Sequence, residues 1–299
     1  MRKPDFFIVG AAKCGTTAMN DYLGQHPGIF VPEAKEIHYF GQDLDIRTAR
    51  PRDTLESYLA RFEGAEAFAR AGEASVWYIY SRSAAQEILE FNPDASVIIM
   101  LRDPVEFMYS QHSQAMHNAL GDEDILDFAQ ALDAEEDRVA GRRPVPAQTT
   151  FPDGVFYRRI ARFTEQVQRY YDLFPRDRVH VIVFDDFRAD TAAAVRDTYR
   201  FLGVDPDFVP ETPVVNPNKT YRSWAVRKLQ QRIPGKAKDL VPAAVRRRAS
   251  DAIYAMNRVY QPRDVMDPAL RAQLQAEFAP EVAALGDLIG RDLSHWSKA

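Results

Sequence analysis

Cysteine is nearly absent: the 299 residues hold one, Cys14, so no internal disulfide can form and a disulfide-stapled secreted scaffold is excluded. Long apolar runs are missing too, and none approaches the ~18 residues of a membrane span. The start, MRKPDFFIVGAAKCGTT, carries basic residues, but its apolar stretch FFIVG is about half the length of a signal-peptide core. A cytoplasmic location is therefore the expectation. Positive charge is not in excess: 38 Lys and Arg face 43 Asp and Glu, a net charge of −5 with a pI near 5.8. A protein that coats nucleic acid is normally basic, so no nucleic-acid partner is expected. Repeats and low-complexity segments are also lacking. What remains is 46% hydrophobic and 27% charged, the balance of a globular protein with a real core.

Phe6-Phe7-Ile8-Val9, ending at Gly10, is a short continuous apolar run and reads as a strand buried on both faces. A helical pattern follows from Thr16 to about Gln25 and stops at Pro27-Gly28. Val97–Leu101 is the clearest central strand. Behind it, Asp103 can cap a helix with Pro104 at its first position. A third run, Val179 to Phe184, leads through Asp185-Asp186 into a helix ending near Leu202-Gly203. Amphipathic stretches at 83–91, 155–174 and 268–289 fill the gaps. Strands alternating with helices of this length predict an α/β fold, a parallel sheet flanked by helices. The proline-rich stretch 206–217 is the candidate boundary, giving an α/β core over 1–205 and a helical C-terminal part over 206–299 of one domain.

Gly10-Ala11-Ala12-Lys13-Cys14-Gly15-Thr16-Thr17 lies between the first strand and the first helix. Glycines there allow a tight turn, and the N–H groups of a helix start cradle phosphate oxygens. The spacing is P-loop-like, GxxxxG, but Thr16 stands where an ATPase or kinase needs lysine, and the lysine lies earlier, at Lys13. That shift argues against a P-loop kinase acting on a small molecule with ATP and Mg²⁺. A ligand-free glycine turn is the plain alternative.

The segment FFIVGAAKCGTTAMNDYLGQHPGIFVPEAKEIHYF resembles the 5′-phosphosulfate loop of sulfotransferases that use 3′-phosphoadenosine 5′-phosphosulfate (PAPS), most closely bacterial members and the heparan-sulfate and glycan branch. VIIMLRDPVEFMYSQH looks like their 3′-phosphate segment, and GVFYRRIARFTEQVQRYYDLFPRDRVHVIVFDDF and LIGRDLSHW are similar as well. The resemblance implies a P-loop-like fold and transfer of a sulfuryl group from PAPS, with PAP as product and no metal. It implies that Lys13, Cys14, Gly15, Thr16 and Thr17 form the phosphosulfate cradle and that Arg102 and Ser110 clamp the 3′-phosphate. Physical chemistry agrees, since an arginine fork at a strand's carboxyl end suits a phosphate. Glu36 then matches the base, Lys13 the cation over the departing phosphate, and His38 a group that orients Glu36 or shares its proton. The rival to catalysis is a non-catalytic nucleotide-binding protein of the same fold.

One departure stands out. In Gly72-Glu73-Ala74-Ser75-Val76-Trp77-Tyr78, Ala74 replaces a lysine of the heparan-sulfate enzymes and Val76 a proline. Either Ser75 and another cation take over, or the acceptor pocket differs. Trp77, Tyr78 and Tyr80 suit either a sugar-stacking surface or the core. Cys14 reads as a packed side chain behind the turn, and no Cys/His cluster suggests a metal. The acidic stretch 122–137 reads as an amphipathic helix with a solvated face. Arg227–Arg248 carries eight basic residues against one acid, as a solvated face or as a site for an anionic acceptor, nucleic acid or a peripheral membrane surface. Residues 216–222 fall where the family has a loop over the cofactor, with Lys219 or Arg222 as contacts. The acceptor itself, a small molecule, a glycan or a lipid, is not written in the sequence.

Overall fold

The structure is a computed structural model and describes residues 2–47, 51–118, 121–212, 219–221, 258–260 and 264–298. Five parallel strands form its sheet: β1 (Phe6–Gly10), β2 (Ile29–Phe30), β3 (Arg70–Ala74), β4 (Ser96–Leu101) and β5 (Val179–Val183). Their spatial order is β2-β3-β1-β4-β5. β1 and β4 are buried at every position, as their unbroken apolar runs require. Phe6 lies opposite Gly72 on one side and Ser96 on the other, and Val97–Leu101 run in register with Val179–Val183. The expected α/β class and the three apolar strands are all present.

β3 is the strand that its composition hides. Arg-Ala-Gly-Glu-Ala has no β-branched residue, yet only a glycine fits at position 72. A Cβ there would come within 2.4 Å of the Phe6 carbonyl oxygen and 2.5 Å of its ring. The strand is admitted by close backbone approach rather than by propensity.

Helices flank the sheet: α1 (Thr16–Leu23), α2 (Leu55–Ala60), α3 (Ala84–Phe91), α4 (Pro104–His117), α5 (Phe128–Val139), α6 (Tyr157–Ile160), α7 (Phe163–Leu173), α8 (Phe184–Ala189), α9 (Thr191–Leu202) and α10 (Pro268–Ile289). Asp103 caps α4 as expected, its carboxylate accepting the Val105 N–H at 2.8 Å, with Pro104 at the first position. Two stretches that read as continuous helix are divided. Residues 155–174 become α6 and α7, with Arg162 between them in a non-helical conformation. The helix expected between Asp185-Asp186 and Leu202 is split into α8, which already begins at Phe184, and α9, because Asp190 leaves the helix to cap the second segment through the Ala193 N–H. α10 packs on α4 and α7.

The acidic stretch departs from its expected solvated face. Its helix begins only at Phe128, and three acids around it are buried with partners. Glu123 takes two hydrogen bonds from Arg138 (2.7 and 2.6 Å), and both side chains are fully buried. Glu135 accepts the N–H groups of Arg158 and Arg159, and Asp122 accepts that of Thr150. Hydrogen bonding makes burial of these carboxylates tolerable.

The backbone at Lys219–Tyr221 pairs antiparallel with Arg258–Tyr260 as β6 and β7. The Lys219 side chain, Arg222 and the Arg227–Arg248 stretch lie outside the described residues. Among the described residues no helix is long and apolar enough to cross a membrane.

Candidate active site

Three segments meet at the carboxyl ends of β1, β3 and β4, the edge at which open parallel sheets bind ligands. The first is the 11–15 turn from β1 into α1. Gly15 caps α1 with φ +89°, and a Cβ there would press on the Phe187 ring at 3.0 Å, so glycine is required twice over. Lys13 is also left-handed, at φ +61°, and its Nζ donates to Gln114 Oε1 of α4 at 2.9 Å. Thr16 opens the helix and is 4% exposed. Cys14 is fully buried, and burial pushes its thiol up to about 12 although Arg102 and Lys13 pull the other way. A buried thiol of that kind is inert, which matches the packing role.

The second segment, 35–40, folds over the end of β3. Glu36 and His38 both take left-handed conformations, φ +58° and +53°, which non-glycine residues adopt only under constraint. The constraint is a set of hydrogen bonds to 74–78. Glu36 N donates to the Ala74 carbonyl (2.9 Å), His38 N to Ser75 Oγ (3.2 Å) and Phe40 N to the Tyr78 hydroxyl (3.2 Å). In return, Val76 N donates to Glu36 Oε2 at 3.0 Å. His38 Nε2 lies 3.6 Å from the same oxygen. Burial holds the His38 pKa below its ordinary value, with Glu36 working in the opposite direction, so the ring is neutral at pH 7. Its Nδ1 is buried without a partner among the described residues.

Below this segment sits Glu73, 2% exposed. Its carboxyl accepts hydroxyls from Tyr58 (2.9 Å), Ser75 (2.8 Å) and Tyr78 (3.0 Å). Two of those hydroxyls are the ones that hold the 38 and 40 amides. Burial is the main cause that raises its pKa to about 7, against the three hydroxyls and with help from Glu36. Tyr78 is thus core, whereas Trp77 packs at a tilt against Phe151, with ring centroids 4.4 Å apart.

The third segment is Arg102-Asp103 and α4. Arg102 Nη2 reaches Glu106 Oε2 at 3.1 Å, and its guanidinium lies over the Phe184 ring, 5.0 Å from the centroid. Glu106 is gripped from its far side by Arg271 of α10. The local partner of Arg102 is therefore Glu106, not Asp103. Ser110 is buried two turns along α4.

Lys35 belongs to the same site, although no motif singles it out. Its Nζ lies 3.1 Å from Thr17 Oγ1, 3.4 Å from Thr16 Oγ1 and 3.3 Å from Glu36 Oε1. Side chains of neighbours in an extended chain diverge, so adjacency in the sequence does not by itself predict this meeting. The left-handed turn at Glu36 brings them together. A cavity of about 330 Å³ is lined by Asp43, which follows the 35–40 segment, by Tyr80, which follows 74–78, and by Phe151, Asp153, Arg159 and Arg162. No group of three or more His, Cys, Asp or Glu side chains among the described residues could hold a metal ion.

The family model of the sulfotransferase domain matches residues 3–231. The chain belongs to the sulfotransferase family. A solved sulfotransferase from Alicyclobacillus acidocaldarius superposes with a TM-score of 0.73 at 33% identity, covering 100% of both chains. Human carbohydrate sulfotransferase 15 is 25% identical over 247 residues, 68% of this chain and 44% of that one. The membrane-associated sulfotransferase kil1 of Dictyostelium discoideum is 34% identical over 112 residues, 36% of this chain and 22% of that one. The matched segments thus span less than half the length of these two relatives. In this sulfotransferase-family chain the elements of the candidate site occupy one end of the sheet.

Proposed function

We propose that this sulfotransferase moves the sulfuryl group of PAPS to a hydroxyl, or an amine, of an acceptor, with Glu36 as base and PAP as product. One observation carries the reading: a helix-start cradle, a carboxylate and an arginine fork converge from three strand ends. The residues fit the donor. Gly15 keeps the turn tight at the first turn of α1, whose N–H groups have no intrahelical acceptor and suit an anion. Arg102, after β4, offers a guanidinium for the 3′-phosphate, and Ser110 of α4 a hydroxyl.

PAPS supplies an activated sulfuryl group, whose S–O bond to the 5′-phosphate breaks as a bond to the acceptor oxygen or nitrogen forms, the electron pair passing to PAP. Glu36 takes the acceptor's proton, held in position by Val76 N–H and flanked by neutral His38. Lys13, turning from Gln114, neutralises charge on the departing phosphate. The cavity with Phe151, Tyr80, Arg159 and Arg162 supports a ring-bearing polar acceptor, a glycan or a small molecule.

The test is calorimetric titration with PAP in EDTA, beside 5′-AMP and ATP with Mg²⁺. Metal-independent PAP binding is expected, tighter than that of 5′-AMP and lost in Arg102→Ala. Glu36→Gln keeps PAP binding and lowers labelled-sulfuryl transfer in an acceptor screen by about 10²–10⁴-fold. A folded sample that prefers ATP with Mg²⁺ overturns the reading.

A further inference from the structure

The ammonium of Lys35 lies between the cradle and the base, within 3.4 Å of both threonine hydroxyls and 3.3 Å of Glu36. Its side chain is 17% exposed, so it is drawn into the site and not spread over the surface. Two of its three neighbours are neutral hydroxyls at a helix start, where an anion is favoured and a cation is not. Placing an ammonium at that end of α1 runs against the helix dipole, and the Glu36 carboxylate 3.3 Å away is the anion that offsets it. Meanwhile Ala74, at the strand end below Glu36, carries no charge, and its carbonyl binds the Glu36 amide. The cation next to the base therefore comes from the residue before it.

We infer that Lys35 is a catalytic cation of this site, whose ammonium binds the sulfonate oxygens of the donor from the side of the base while holding the Glu36 carboxylate against the cradle. The inference rests on the sulfuryl-transfer reading above and deepens it. Lys13 serves the leaving phosphate. Lys35 serves the group in flight, where negative charge on the sulfonate meets an incoming electron-rich acceptor. Thr16 and Thr17 hydroxyls, accepting from Lys35 now, rotate to donate to the same oxygens.

The donor and its product differ by the sulfonate, which makes them the right pair of probes. Affinities for PAPS and for PAP are measured by calorimetry in EDTA for the wild type, Lys35→Met and Lys35→Arg, with folding followed by circular dichroism. Lys35→Met is expected to weaken PAPS at least tenfold more than it weakens PAP, the size of one charge-assisted hydrogen bond. Lys35→Arg is expected to restore most of that discrimination. Equal weakening of both ligands, or of neither, overturns the role assigned to Lys35. Lys35→Gln, which keeps a polar stem, decides in the same terms if Lys35→Met fails to fold. A wild type that binds neither ligand overturns the sulfuryl-transfer reading as well, whereas failure of Lys35 alone leaves PAP binding in the wild type intact.

Discussion

Glu73 gives the sharpest test of how the 35–40 segment is held. Burial raises its pKa from 4.5 to about 7. Between those values the folded protein keeps a proton that the unfolded chain releases, so stability falls as pH rises. Its contribution is fully present below pH 4.5 and lost by the time pH passes about 7. A gap of that width is worth on the order of 3 kcal/mol. Glu73→Gln removes the titration and keeps a carbonyl for the Tyr58 and Tyr78 hydroxyls, at a cost of about 1 kcal/mol for the altered bond to Ser75. Urea denaturation of both proteins from pH 4.5 to 8 isolates the effect as a difference. Wild type is expected to be the more stable at pH 4.5 and the less stable at pH 8. A difference that stays constant across the range would refute the argument, because it would mean that Glu73 is not protonated on folding. The same titration reaches the site, since Ser75 and Tyr78 carry the 38 and 40 amides.

Glu123 has the opposite sign. Its pKa is held at about 2, with the bond to Arg138 the leading favourable cause against burial, so its stabilisation is present above pH 4.5 and fades as pH falls towards 2. Glu123→Gln leaves the buried Arg138 with only the half-exposed Asp124 as its anion and is expected to cost about 3 kcal/mol in urea denaturation at pH 7. Cys14, its thiol pushed up to about 12, should resist a thiol-reactive dye in the native protein at pH 8 and react at once in urea. Dye uptake by native protein would contradict that burial. Gly15→Ala sets a Cβ against Phe187 at a left-handed position, and loss of both thermal stability and PAP affinity is expected.

The strands that sequence patterning found are those that fill both faces with continuous aliphatic residues, β1, β4 and β5. β3 escaped it because its burial depends on a missing side chain at Gly72, and β2 because two residues carry no pattern. Burial of acids was equally invisible. Glu123 and Glu135 look like solvated charges until Arg138, Tyr157 and the 158–159 amides are placed around them. At the candidate site, the residues of the glycine turn, Glu36, His38, Arg102 and Ser110 were named from motif resemblance, and the structure sets them at one end of the sheet. Lys35 and Glu73 were not, since one depends on a reversed backbone turn and the other on hydroxyls from α2 and the 75–78 segment.

The central place of β1 also governs how the molecule assembles. Phe6 pairs with Gly72 and with Ser96, and β4 in turn with β5 some eighty residues further on. Such contacts close long loops, and folds dominated by them are slow to form because chain entropy is lost before contacts reward it. The cradle, the carboxylate and the arginine each hang from a different strand of this set. No contiguous fragment that lacks one of those strands carries the whole constellation. Donor binding therefore reports completion of the sheet, and in refolding it should appear last, in step with the loss of exposed core and not ahead of it.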